Sequence, residues 1–458
     1  MFLTVEPGRP RAVREHPKAG WLAVGTVCMG AFMGQLDASI VTLTFPALQR
    51  QFGQSLAAVS WVSLAYLLTL VGLVAAVGRV ADAAGRKLVY LYGFVVFAAA
   101  SAACALSPTL GALVAFRVLQ AVGAAMLQSN SVALVVTSVP QHMMRAALGV
   151  QAAAQALGLA LGPALGGVLV ATVGWRWVFW VNVPVGVLAV AAGWFLLPRT
   201  RERTHLGRFD TPGLVLLGGS TAALLLGLSG LAGLAMPAAL AVGLVAVSAI
   251  GAVAFVWRER RAPHPLVALA VLRPRPVSVG LIGALTAYLT LFAPLTLFPQ
   301  VLGAHGASGL VLTALPLGFA VAALLAERAL PRRWGARARG MLGALAGAGA
   351  AAALVAVPNG NLWVAAWLGV LGLGLGVFIP ANNSAIMGAI PAGSSAVGGG
   401  LVNMARGLGT AFGVTVVTLS LHLAGADLGG ARVALAALVA FGLVSAVAAQ
   451  IGRPEAAA

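Results

Sequence analysis

The chain has few charged residues and almost no lysine. Only 8% of its 458 residues are charged, 10 of them are acidic, and Lys18 and Lys87 are its two lysines. A phosphate-binding loop of the type G-x-x-x-x-G-K-[ST] needs a glycine directly before its lysine, and neither lysine has one. The sequence therefore excludes an ATP-driven pump that carries its own nucleotide-binding loop.

Cysteine is equally scarce, and the short motifs of common enzymes are missing. Cys28 and Cys104 stand singly inside apolar runs, which favours small core residues over a disulfide framework or a metal site. The chain has no H-E-x-x-H, no G-x-S-x-G and no cluster of histidine or cysteine. We therefore expect no catalytic residues, no metal and no cofactor.

Apolar residues and glycine are abundant. Hydrophobic residues make up 60% of the chain, and there are 58 glycines. Apolar runs of about 18 residues or more recur from Trp21 almost to the C-terminus, and each can cross a bilayer as a helix. A β-barrel would alternate apolar and polar residues, and runs such as "GLIGALTAYLTLFAPLTLF" do not. The sequence predicts an all-α integral membrane protein whose partner is the lipid bilayer.

The formal charge of +18 invites a nucleic-acid interpretation, but the cations are in the wrong places for it. Most arginines lie in every second short loop, the pattern that keeps such loops cytoplasmic. The first apolar run follows "GRPRAVREHPKAG" and has no small-residue cleavage site after it, which suits an uncleaved first span. We expect both termini on the cytoplasmic side of the cell membrane, no nucleic acid partner, and a protein that functions as a monomer.

Glycine, proline and charge clusters divide the chain into fourteen predicted spans. They are 21–45, 58–80, 88–106, 110–136, 146–171, 178–197, 212–230, 236–257, 277–302, 308–330, 339–357, 361–388, 395–421 and 430–451. The charged segments 198–211 and 258–276 bracket two helices that resemble an insert, 212–257. The remaining blocks have nearly equal length, as in transporters that bind substrate between two halves near the midplane, although uniform helix size alone would also give equal blocks.

These boundaries give the predicted domain organisation. It consists of a cytoplasmic tail at 1–20, a six-helix bundle at 21–197, a linker with the inserted helices at 198–276, a second six-helix bundle at 277–451, and a cytoplasmic tail at 452–458.

Two opposite charges lie inside apolar runs. Asp37 is eight residues before the predicted outer end of the first span, and Arg117 is seven residues after the predicted outer start of the fourth. At 1.5 Å per residue both lie about 10–12 Å below the outer surface. An isolated charge there costs about 3 kcal/mol or more, so we expect the two side chains to meet. Separate hydration of each charge, or a purely structural pair, stays open.

A tight, basic loop is predicted between the second and third spans, in "GRVADAAGRKLVYLYG". Glycines permit close packing and a sharp turn, Asp82 can accept hydrogen bonds from a helix N-terminus, and the two cations are expected to face the cytoplasm. A simple positive-inside turn is the alternative. The spacing of the whole set is more specific: Gly78, Asp82, Gly85, Arg86 and Lys87.

A glycine pattern marks the fifth span, in "GLALGPALGGVL". Glycines four residues apart share one helix face and let another backbone approach closely, and Pro163 removes a helical hydrogen bond. Packing alone explains small residues every four. The addition of Gly-Pro and Gly-Gly makes the pattern rarer: Gly158, Gly162, Pro163, Gly166 and Gly167.

Together these stretches resemble the major facilitator superfamily, and within it the fourteen-spanner drug/proton antiporter family. The resemblance rests on "LDASIVTLTFP", "GRVADAAGRK", "RVLQAVGAA", "GLALGPALGG" and "WRWVFWVNVPVG", with Ala121 where a glycine is usual. In the second half, "AERALPRRWGARARG" resembles a degenerate loop motif, and "SSAVGGGLVNMARGLGTAFG" resembles the penultimate span, with Arg406 inside it.

The resemblance implies an exporter that alternates between inward-open and outward-open states and exchanges an external proton for an internal substrate. Asp37 and Arg117 are the expected coupling pair, because an intact or broken pair changes the proton affinity of the carboxylate. A cavity suited to drugs and other amphiphilic small molecules is expected, lined by Gln35, Tyr66, Gln120, Asn130, Tyr288 and Phe292. The substrate itself and the roles of Arg406, Asn382 and Asn383 stay open.

Two other functions remain as alternatives. One is a proton-coupled uptake carrier, or a carrier dedicated to a single metabolite, with the same fold. The other is a membrane sensor or scaffold that has lost transport. The glycine pattern of the fifth span argues against the first, and the cost of keeping Asp37 and Arg117 in the membrane argues against the second.

Overall fold

The fold is known from a computed structural model of the chain. The structure describes residues 6, 8–200, 210–262, 269–302, 306–329, 331, 334–356, 360–390 and 395–451. Regular structure in this part of the chain is helical throughout, without a strand.

Fourteen long helices occur within the described residues, and they are named here α1 to α14. The first eight are α1 Ala19–Ile40, α2 Leu56–Ala84, α3 Arg86–Ala105, α4 Leu110–Ser138, α5 Met144–Thr172, α6 Asn182–Leu196, α7 Thr211–Leu231 and α8 Ala238–Arg261. The other six are α9 Arg275–Val301, α10 Gly306–Ala329, α11 Ala336–Ala356, α12 Asn361–Gly388, α13 Ser395–Ala424 and α14 Leu428–Ile451.

Each predicted span corresponds to one of these helices, with ends that differ by a few residues. Thirteen helical segments in the described part of the chain are long and apolar enough to cross a membrane, and Gly309–Leu325 is a shorter apolar stretch in α10. The protein is therefore a multi-pass membrane protein. Fourteen crossings stay a prediction.

The first rod is longer than predicted. It does not end near Phe45 but passes through a 3-10 turn, Val41–Thr44, into a further helix, Phe45–Phe52. Pro46 stands in the first turn of that helix, where its missing N–H costs nothing, so the rod bends without ending. Gly53 then ends it with a φ of 62°, a backbone conformation that glycine adopts readily.

Buried apolar side chains form two large clusters. One contains mainly residues between Ala23 and Leu225, and the other mainly residues between Ala287 and Ala446. The two helices of the predicted insert, α7 and α8, pack on each other, and α7 also contacts α2 and α13. Side chains of α8 are largely exposed, Ile250 by 69%, as expected for a helix that faces lipid.

Some side chains of each half belong to the core of the other half. Leu43 and Leu159 join the second cluster, and Ala411 and Val414 join the first. Leu43 lies at the predicted outer end of α1, and α5 packs along α10. The two halves are therefore in contact on the side predicted to face outward.

Candidate functional site

Asp37 and Arg117 meet inside the first half of the molecule. Asp37 lies on α1 and Arg117 on α4, and Arg117 Nη1 donates to Asp37 Oδ2 at 2.6 Å. The exposed fractions of the two side chains are 0% and 1%. The pair is sealed from solvent in this conformation, so neither charge is hydrated separately.

Polar groups from three other helices complete the pair. Gln120 Nε2 donates to Asp37 Oδ1 at 3.0 Å and to Ser101 Oγ at 2.7 Å, and Asn182 Nδ2 donates to Asp37 Oδ1 at 3.3 Å. Arg117 also donates through Nε to Val62 O at 2.9 Å and through Nη1 to Gln120 Oε1 at 2.6 Å. Both carboxylate oxygens of Asp37 are thus hydrogen-bonded.

Two aromatic rings flank the guanidinium of Arg117. Its Cζ lies 4.1 Å from the ring centroid of Tyr66 and 5.8 Å from that of Phe179. Such rings attract a cation, more strongly when both partners are desolvated. The pair is therefore held by the attraction of its opposite charges, by two amide donors to Asp37 and by two aromatic rings beside Arg117.

The stability of a buried ion pair of this kind depends on the charge of both partners. Removing one charge from such a pair leaves the other uncompensated, which typically costs about 3–5 kcal/mol. Protonation of Asp37 removes its charge while Arg117 stays cationic, because an arginine side chain does not lose its proton in a protein. A proton that binds Asp37 therefore favours any rearrangement that supplies Arg117 with water or another partner.

A small central cavity lies beside this network and between the two halves. Its volume is about 30 Å³, room for about two waters. Tyr66 lines it and also stacks on Arg117, so one side chain contacts both the cavity and the ion pair. The other lining residues are Gly34, Gln35, Ala38, Leu67, Leu70, Val71, Val74, Gln128, Phe292, Asn403, Arg406, Gly407 and Thr410.

A second cavity, of about 20 Å³, shares Gln35 and Gln128 with the first. Ser131 and Gln155 add polar groups to its lining. The two cavities are therefore neighbours beside α1 and α4, and two amide side chains line both of them.

Three of the predicted cavity residues line the central cavity, and three lie elsewhere. Gln35, Tyr66 and Phe292 line it. Gln120 belongs to the ion-pair network, and Asn130 donates to Met126 O at 2.8 Å within its own helix. Tyr288 packs against the core of the second half.

The loop between α2 and α3 has the turn that its sequence predicts. Gly85 alone separates the two helices, and its φ of 117° is one that other residues rarely adopt. Asp82 accepts a hydrogen bond from Arg86 Nε at 2.7 Å, with both side chains about one-third exposed. Gly78 lies opposite Ser129 of α4 at ordinary contact distance.

The expectation that Lys87 faces the cytoplasm is wrong. Its side chain is fully buried, and Nζ donates to Trp194 O and Leu197 O, each at 2.8 Å. These carbonyls belong to the last residues of α6 and the one after it, where helical hydrogen bonds end and the helix dipole is negative. Lys87 therefore fastens α3 to the end of α6.

We expect Lys87→Met to destabilise the protein, because the buried carbonyls lose a charged donor and such hydrogen bonds contribute about 1.5–3 kcal/mol each. The measurement is thermal unfolding of the purified protein in detergent, with an apparent melting temperature several degrees lower than that of the parent. Lys18→Met is the matched control, because Lys18 is exposed. Equal melting temperatures for the two variants would contradict the fastening role.

The glycine pattern of α5 faces two different helices. A Cβ atom at Gly158, Gly162 or Gly166 would collide with α1, at Phe32, Ser39 and Ile40 in turn. Pro163 and Gly167 lie on another face, against Gly309 of α10 in the second half. α5 therefore packs closely on its own half through one set of residues and on the opposite half through the other.

Polar residues of the second half have smaller roles in this conformation. Asn382 Nδ2 donates to Gly280 O at 2.8 Å and so joins α12 to α9, as expected of a polar group between helices. Asn383 Oδ1 is buried without a hydrogen-bond partner.

Several residues of the site were not predicted. Asn182 and Ser101 complete the network around Asp37, and Gly309 forms the contact between halves. Asn182 could have been found, because it is an amide inside the apolar stretch "WRWVFWVNVPVG", where an unpaired polar group is costly. Ser101 and Gly309 carry no comparable signal.

Comparison with known proteins supports the fold and the class of function. The family model described as the Major Facilitator Superfamily matches residues 27–414. A tetracenomycin C resistance and export protein of Streptomyces glaucescens is 31% identical over 424 residues, which are 89% of this chain and 78% of that protein.

A second relative and a solved structure agree. A riboflavin transporter of Clostridioides difficile (strain 630) is 28% identical over 410 residues, 86% of this chain and 88% of that protein. The inward-open structure of the xylose transporter of E. coli superposes with a TM-score of 0.65 at 13% identity and covers 96% of this chain and 97% of that one. That likeness concerns the fold alone.

Proposed function

The chain belongs to the Major Facilitator Superfamily, and from that premise we propose that it is a proton-coupled exporter of drugs or other amphiphilic small molecules. It is a multi-pass membrane transporter rather than an enzyme. The finer proposal adds fourteen crossings in two six-helix bundles and an insert, both termini in the cytoplasm, and residence in the cytoplasmic membrane as a monomer.

The observation that carries the proposal is the sealed pair of Asp37 and Arg117 beside the central cavity. A pair kept only for packing would not need to be connected to the space between the halves. Tyr66 joins the two, since its ring faces the cavity and stacks on the guanidinium. Substrate in the cavity, through Tyr66, and a proton on Asp37 can therefore both act on the guanidinium of Arg117.

The proposed cycle follows from the charge of the pair. When the cavity opens outward, a proton reaches Asp37 and neutralises it, and Arg117 then keeps Val62 O, Gln120 and Tyr66 as partners. When the cavity opens inward, the proton leaves, the pair forms again and substrate enters. No cofactor is required.

The energy of one proton is sufficient for useful export. One charge crossing a potential of 100 mV supplies about 2.3 kcal/mol, which sustains about a fifty-fold concentration ratio of a neutral solute. One relative is described as an export protein, and this supports transport in the outward direction. The relative described as a riboflavin transporter supports the alternative of a carrier dedicated to one metabolite.

The proposal is tested in inverted membrane vesicles with an imposed proton gradient. A panel of dyes, quaternary ammonium compounds and antibiotics of both charge signs is added, and a pH-sensitive dye reports proton release. We expect some compounds to dissipate the gradient and to accumulate in the vesicles. Accumulation that survives an uncoupler unchanged would contradict proton coupling.

A further inference from the structure

Arg406 is a cation in the central cavity, and no acidic side chain in the described part of the chain forms an ion pair with it. It lies on α13 and is half-buried. At 1.5 Å per residue it is about 17 Å along the helix from Ser395 and about 27 Å from Ala424, so it is remote from both ends. Of the four ion pairs between described residues, none includes Arg406.

Asp37, the acid of the buried ion pair, is not available as a partner for Arg406. Asp37 is fully buried, and its two carboxylate oxygens already accept from Arg117, Gln120 and Asn182. Among the described residues that line the central cavity, Arg406 is the one that carries a charge. The cavity therefore has an excess of one positive charge, and a charge in the membrane interior is costly unless something pairs with it.

The surroundings of Arg406 supply further hydrogen-bond donors. Asn403 lies one turn before it and lines the same cavity, and Gln35 and Gln128 line it from the first half. A carboxylate, sulfonate or phenolate accepts hydrogen bonds at every lone pair and binds most strongly to charged donors. The polar part of the cavity thus fits an anionic group.

The rest of the lining is apolar. Leu67, Leu70 and Val71 come from α2 and Phe292 from α9. In the present conformation the volume of about 30 Å³ is too small for a bulky solute, so entry of one requires the halves to separate. Once they separate, the ring of Phe292 and the aliphatic side chains can cover the hydrocarbon part of a substrate.

We propose that the central cavity binds amphiphilic organic anions, with Arg406 holding the anionic group and the apolar wall holding the ring or chain. This inference rests on the proposed export function and names its substrate class. It also gives Arg406 a purpose that packing does not, because an uncharged residue would fill the same place at lower cost.

The experiment uses two permanently charged compounds with the same ring, naphthalene-2-sulfonate and N,N,N-trimethyl-2-naphthylammonium. Binding is measured as the thermal stabilisation of the purified protein by each compound, since a ligand that binds only the folded state raises its melting temperature. Transport is measured separately, as proton-coupled flux of each compound in vesicles.

We expect the parent protein to bind and export the sulfonate, and to bind the ammonium compound at least about tenfold more weakly. Arg406→Gln is expected to abolish the preference for the sulfonate while the protein stays folded. Arg432→Gln is the matched control, because Arg432 is exposed near the start of α14 and outside the cavity. It should retain the preference.

The results separate the two proposals. Equal binding of both compounds, a preference for the cation, or a preference for the sulfonate that survives Arg406→Gln would overturn the anion site. Sulfonate binding that depends on Arg406, without proton-coupled flux of any compound, would support the anion site and overturn the export function.

Discussion

Asp37→Asn is expected to abolish proton-driven export while protein of normal fold still reaches the membrane. Asparagine has nearly the shape of aspartate and can still accept from Arg117, but it takes up no proton. Gradient-driven flux in vesicles should fall to the level of vesicles without the protein. Exchange of labelled substrate without a gradient should persist, because it requires no change in the charge of residue 37.

A loss of stability is expected beside the loss of coupling. The variant leaves the guanidinium of Arg117 in a site with 1% exposure and no opposite charge. Removal of one partner from a buried pair typically costs about 3–5 kcal/mol, although Val62 O, Gln120 and the ring of Tyr66 remain as partners here. The melting temperature should therefore be lower than that of the parent.

A double variant separates stability from coupling. Adding Arg117→Gln to Asp37→Asn removes the uncompensated charge, so the melting temperature should recover while proton-driven flux stays absent. Asp427→Asn is the matched control, because Asp427 is exposed and caps the turn before α14, a role that asparagine also fills. Normal gradient-driven flux in Asp37→Asn would remove Asp37 from the coupling mechanism.

The meeting of Asp37 and Arg117 was predictable because it depends mainly on the depth of each residue in the membrane. Residue counts to the predicted ends of two apolar runs give similar depth, and the cost of a lone charge makes pairing the cheaper arrangement. The depth of Asp37 was only approximate, because the first rod continues to Phe52. The positions of Asn182 and Gln120 around the pair depend on how five helices are rotated about their axes. These rotations cannot be derived from a single sequence.

Lys87 shows where a statistical rule misleads. A lysine in a short inner loop normally faces water, and the rule for inner loops concerns the side of the membrane and not the burial of each side chain. The end of α6 happens to lie beside Lys87, and its carbonyls bind the ammonium group. That contact joins residues about 110 positions apart, so nothing in the local sequence announces it.

The glycines of α5 were predicted as a surface for close approach, but their partners could not be. Gly162 would be the natural choice for a variant that jams motion between the halves. In the structure it faces Ser39 of α1 in its own half. We therefore expect Gly162→Leu to disrupt folding of the first half, which would show as low yield of intact protein, and the test of motion has to use another residue.

Gly309→Leu is expected to prevent the halves from closing on their outer side without unfolding either of them. A Cβ atom at Gly309 would lie 2.6 Å from Pro163 O and 2.8 Å from Gly167 Cα, both on the opposite half. Overpacking of this kind typically costs about 1–3 kcal/mol, and the cost exists only while the outer sides touch. Separation of the outer sides relieves it, so the variant should favour the outward-open state and transport at least about tenfold less.

The population shift is measured by the access of an impermeant maleimide to Ala411→Cys, in a background where Cys28 and Cys104 are replaced by alanine. Ala411 is 2% exposed and packs into the core of the other half, so labelling from outside requires the halves to separate. Gly149→Leu is the matched control on α5, because nothing lies within 4 Å of its Cβ position. Faster labelling in Gly309→Leu alone is expected, since only that side chain wedges the closed side. Unchanged labelling together with full transport would show that α5 and α10 do not need this close contact for the halves to close.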